Sequence, residues 1–134
     1  MDVVDTQVAI AIGTPIVASN CYDSNSSQLT LNGCSNQRRE ELVKQMALLV
    51  KSVLDIWQER SPEKADRFSS LQEEWENWVK RNCEFSAGLT LIDDGGVLRY
   101  EGGSMAVLLF NECLIHQYEP RLRDLQVLLY ELGI

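Results

Sequence analysis

From Gln37 to Glu59 the apolar residues Leu42, Met46, Leu49, Val53 and Trp57 recur at spacings of three and four, the repeat that puts side chains on one face of an α-helix. Val43, Val50 and Leu54 widen the stripe to the breadth of a core-facing helix. Arg38, Arg39, Glu40, Glu41, Lys44 and Lys51 fall on the remaining faces. Further upstream, Ser26 or Ser27 is placed to start a helix, which Gly33 interrupts locally at a cost of about 1 kcal/mol relative to Ala. Ser61-Pro62-Glu63 reads as a second start, with a serine cap, a proline in the first helical position and an acid in the first turn. That helix is predicted to run to about Cys83. Phe68, Leu71, Trp75 and Trp78 are its expected apolar face, and Gln72, Glu73, Glu74, Glu76 and Lys80 its solvated one.

Residues 88–103 break the helical pattern. Leu89-Thr90-Leu91-Ile92 and Val97-Leu98-Arg99-Tyr100 flank Asp93-Asp94-Gly95-Gly96, which predicts a small hairpin around an Asp/Gly turn. Such a hairpin is marginal alone and must lean on the helices. Ser104 is placed to cap a final helix, with Val107, Leu108, Phe110, Leu114 and Ile115 as its apolar surface. Pro120 is expected to kink or divide it, and Leu122, Leu125, Val127 and Leu128 continue the apolar surface to Gly133. The predicted fold class is all-α: an antiparallel bundle of three to four helices with a small β-hairpin or loop insert. Residues 1–19 read as a flexible N-terminal arm or the remnant of an export segment. Val8–Val17 is mostly apolar, but Asp2 and Asp5 precede it where a signal peptide carries positive charge. Residues 20–134 read as one domain.

A length of 134 residues is consistent with that single domain. A formal net charge of −8 opposes binding to nucleic acid, whose phosphates recruit basic faces, and to an anionic membrane surface. It favours steering toward a basic protein partner. No apolar run approaches the roughly 18 residues a membrane-spanning helix requires. The sequence holds one histidine, His116, and no G-x-S-x-G, P-loop or H-E-x-x-H motif. Asp93 and Asp94 are neighbours on a turn, whereas carboxylates that cleave a glycoside enclose the substrate across roughly 5–10 Å. The reading is a binding module and not an enzyme, with no cofactor. The cysteines at 21, 34, 83 and 113 lack any C-x-x-C spacing, and Cys113 with His116 makes too few ligands for a metal. Two disulfides in an exported protein remain. Four cysteines allow three connectivities.

The cysteine-bearing segments carry a resemblance. The opening has Cys21, Gln28 and Cys34. The middle has Leu71, Gln72, Trp75, Trp78 and Cys83. The end has Gly102-Gly103-Ser104-Met105, Glu112-Cys113, Arg121 and Leu125. Over about residues 20 to 130 this pattern resembles the N-terminal domain of the lysozyme inhibitor LprI family. The resemblance implies an all-helical fold, export to the bacterial envelope (periplasmic or secreted), and the disulfides Cys21–Cys34 and Cys83–Cys113. It also implies inhibition of a lysozyme, a class of muramidases with many basic members that a charge of −8 would attract. Asp93, Asp94, Tyr100 and Glu101 on the expected hairpin, with Ser104 beside it, are the expected partner contacts. The competing expectation is an envelope structural or adaptor protein that binds a different protein through its helix faces, marked by a contiguous exposed apolar patch.

Overall fold

The structure, a computed structural model, describes residues 27–88, 90–94, 97–101 and 103–133, with the side chains of 27–88 and 105–133. Three helices dominate: α1 (Gln28–Arg60), α2 (Pro62–Ala87) and α3 (Gly103–Glu131). The fold is all-α. Between α2 and α3 the backbone forms β1 (Thr90–Asp94) and β2 (Val97–Glu101), paired antiparallel from Thr90↔Glu101 to Asp94↔Val97. The turn expected to join them, at 95–96, lies outside the described residues, as does the N-terminal arm.

α1 begins where Ser27 caps it: the serine hydroxyl accepts the Thr30 N–H at 3.1 Å. The helix then runs 33 residues without a break. Gly33 was expected to interrupt it and does not. Its cost is about 1 kcal/mol, and Cys34 and Ser35, both buried, anchor the same turn. The apolar stripe lies where its spacing predicts. Leu42, Met46, Leu49 and Val53 are buried, Val50, Leu54 and Trp57 are half-buried, and only Val43 is exposed. Arg38 and Arg39, expected on the outer faces, instead reach across to α3.

A single residue separates α1 from α2. Ser61 has an extended backbone, donates its N–H to the Trp57 carbonyl at 2.6 Å and accepts the Lys64 N–H on its hydroxyl at 3.4 Å. Pro62 follows in the first turn, where its missing N–H costs nothing. So short a link folds α2 back antiparallel to α1. Gly88 ends α2 in the left-handed region at φ 74°, a conformation that glycine adopts without steric cost.

The inward face of α2 differs from the expected one. Ala65, Gln72, Val79, Cys83 and Ala87 are buried, and Phe68 and Trp75 are half-buried against the core. Leu71 and Trp78, expected inside, are exposed at 63% and 54%. Small and polar residues thus share the seam with Val79, Phe68 and Trp75.

α3 starts at Gly103 and passes through Pro120 as one helix to Glu131. Neither a fourth helix nor the expected division at Pro120 occurs among the described residues. The proline still removes one backbone hydrogen bond. Pro120 and His116, whose carbonyl loses that partner, are both exposed, so water can replace the bond. Side chains on either side hold the two turns: Glu119 accepts from Arg38 of α1 at 2.7 Å, and Arg121 donates to Gln72 of α2. Leu114, Ile115, Tyr118, Leu122, Leu125 and Leu129 form the α3 side of the core, while Val127 is exposed.

α1 and α3 run in the same direction, with α2 opposed to both. At one end Arg60 Nη2 donates to the Leu132 carbonyl at 2.7 Å. At the other, Asn111 of α3 bonds Ser35 and Asn36 of α1. Cys83 of α2 and Cys113 of α3 form a disulfide, with Cα atoms 5.5 Å apart and a sequence separation of 30. Cys34 is not a free thiol; Cys21, its expected partner, lies outside the described residues.

Candidate functional site

An open groove of about 420 Å³ lies where the three helices meet. α1 contributes Arg39 and Val43. α2 contributes Glu76, Asn77 and Lys80, which follow one another at spacings of one and three on its side. α3 contributes Phe110, Leu114 and Tyr118 at spacings of four. Val43, Phe110, Leu114 and Tyr118 give it an apolar and aromatic lining, and Arg39, Glu76 and Lys80 a charged one.

A buried polar chain fixes Arg39. Its Nη1 donates to Asn111 Oδ1 at 3.0 Å. Asn111 is fully buried, and its Nδ2 donates to Ser35 Oγ at 2.9 Å and Asn36 Oδ1 at 2.7 Å. Ser35 in turn donates to the Asn32 carbonyl at 3.1 Å. A buried amide satisfied on both sides is directional as well as neutral in charge. It holds the guanidinium beside the groove, where Nη2 also pairs with Glu40 Oε1 at 3.8 Å.

A second network joins α2 and α3. Gln72, 2% exposed, accepts on Oε1 from Arg121 Nε at 3.1 Å and Nη2 at 2.8 Å, and donates from Nε2 to Glu76 Oε2 at 2.9 Å. The Arg121 guanidinium sits 5.7 Å from the Trp75 ring centre, within cation–π range. Trp75 and Tyr118 pack with ring centres 5.2 Å apart and planes tilted by 42°. Burial, and secondarily the Glu76 carboxylate, push the Tyr118 phenol up to about 12. Tyr118 therefore stays protonated at neutral pH and faces the groove as a neutral hydroxyl.

Two cations, a carboxylate, an amide and a phenol beside an apolar lining can hold a side chain with an apolar stem and a polar end. The groove presents no nucleophile paired with a base. His116 is exposed and does not line it. Among the described residues, no three His, Cys, Asp or Glu side chains converge as metal ligands do, and no helix is long and apolar enough to cross a membrane.

The expected contact residues are away from this groove in the chain. The strand register puts Asp93 opposite Leu98, Asp94 opposite Val97, Tyr100 opposite Leu91 and Glu101 opposite Thr90. Ser104 falls in the first turn of α3 rather than at its cap. The side chains of these five residues lie outside the described ones. Arg39, Asn111 and Tyr118 escaped the sequence reading. Their one signal is that Asn111, Tyr118 and Leu125 share a seven-residue spacing with the buried face of α3.

The residues behind the resemblance meet in space: Gln72, Trp75 and Arg121 form one contact set, and Cys83 is bonded to Cys113. No curated protein and no solved structure matches the chain. The family described as lysozyme inhibitor LprI matches residues 18–125, most of the sequence, and the chain belongs to that family.

Proposed function

We propose that this protein is exported to the bacterial envelope and inhibits a lysozyme by binding it, with no catalysis of its own. The family match over residues 18–125 carries this reading. Two features support it. A disulfide between helices suits an oxidising compartment, and a net charge of −8 would draw a basic enzyme toward the inhibitor. On this reading Cys21 closes the second disulfide with Cys34. Asp93, Asp94, Tyr100, Glu101 and Ser104 make the acidic contact with the basic surface. The groove then receives an acidic or amphipathic side chain between Arg39 and Lys80.

The test is titration of the purified protein into muramidase assays with several lysozyme types, at low and moderate salt. Inhibition is expected, and it should weaken as salt rises because steering is screened. Full lysozyme activity at a large molar excess, at both salt levels and with every type, would overturn the proposal. Asp93→Lys with Asp94→Lys should weaken inhibition. Unchanged inhibition by that variant would move the contact elsewhere on the protein.

A further inference from the structure

Leu71, Trp78 and Phe85 repeat every seven residues along α2 and are 63%, 54% and 85% exposed. Seven residues are close to two helical turns, so these three side chains form one stripe about 21 Å long on the outer side of the helix. Among the described residues, none covers them. Glu74 and Arg81, also seven apart, stand exposed beside the stripe, and neither takes part in the ion pairs found among the described residues. Asp66, Arg67, Ser70, Leu71 and Glu74 surround a shallow hollow of about 320 Å³ at one end.

The pattern is symmetric about Trp78. A two-fold axis through that residue, relating two antiparallel α2 helices, sets Trp78 against Trp78 of the second copy. It sets Leu71, and the hollow beside it, against Phe85 of the second copy. It brings Glu74 within one position of Arg81 of the second copy. Each relation occurs twice, as a self-complementary interface requires. We propose that this face of α2 is a two-fold docking surface for a second copy of the chain. The stripe is short, so the dimer is a weak, exchanging one and not an obligate pair.

The test is sedimentation equilibrium of the full chain over a concentration series. The mean mass is expected to rise from 15.2 kDa toward twice that value. Phe85→Glu and Trp78→Glu change exposed side chains, so far-ultraviolet circular dichroism should report intact helices, and each should weaken association by at least about tenfold. Glu74→Arg alone should weaken it by about two- to fivefold, and adding Arg81→Glu should restore it. A mass that stays at 15.2 kDa up to about 1 mM overturns the proposal. So does association that ignores Phe85→Glu and Trp78→Glu. Failure of the double charge exchange to rescue Glu74→Arg overturns the antiparallel register. A monomer whose Trp78→Glu variant loses lysozyme inhibition would assign the stripe to that enzyme and overturn the homodimer.

Discussion

The two ends of the bundle are built from different materials. At the end where Ser61 links α1 to α2, the buried side chains are Leu49, Val53, Ala65, Leu122, Leu125 and Leu129, all at most 1% exposed. At the end near the strands they are Cys34, Ser35, Cys83, Ala87, Ala106 and Asn111, small or polar, some up to 7% exposed. The first end is held by burial, at about 25 cal/mol for each Å² of apolar surface removed from water. The second has little such surface and relies on a disulfide and on hydrogen bonds centred on Asn111. Apolar packing tolerates small shifts. A disulfide and an amide network fix geometry, and they fix it at the end that positions Arg39 and the strand pair.

The contrast can be broken by substitution. Leu122→Ala should have the largest effect, because the site is fully buried and cannot collapse easily: about 4–5 kcal/mol of stability, measured by urea unfolding. It should cost the same with or without reductant. Replacing Cys83 and Cys113 together by Ser opens a loop closed over 30 residues and should cost about 3–4 kcal/mol by loop entropy. A loss larger than that of Leu122→Ala would reverse the ranking of the two ends. Asn111→Ala should cost about 1–3 kcal/mol, since Ser35 and Arg39 lose a partner. Its distinguishing mark is local: amide hydrogen exchange should quicken around Ser35 and Arg39 and remain unchanged around Leu125. Uniform quickening would mean that the two ends are one cooperative unit.

How much of this was legible in the sequence also differs along the chain. The α1 stripe is apolar at every position that faces the core, so its periodicity located it directly. α2 was half legible: Phe68 and Trp75 pack against the core as expected, but Leu71 and Trp78 lie outside, while Gln72 and two alanines lie within. Hydrophobicity ranks residues by what water rejects and says nothing of how closely a neighbouring helix approaches. Pro120 does not divide α3, for a related reason. Its cost is set by whether the freed carbonyl can reach water and whether flanking side chains hold the turns, and both depend on tertiary placement. The groove was not legible, because Arg39, Glu76 and Tyr118 lie 37 and 42 positions apart and only packing brings them together. The Cys83–Cys113 pair and the Gln72, Trp75 and Arg121 set were legible through the family pattern, and the structure supplies their physical link.

The Cys83–Cys113 bond has one more consequence. It brackets the end of α2, both strands and the start of α3 within a covalent ring. A protease that cuts between residues 84 and 112 would sever the chain but leave one molecule, with both pieces still joined. Complete release of either piece requires a second cut or a reductant. A single cleavage anywhere within that ring therefore separates nothing.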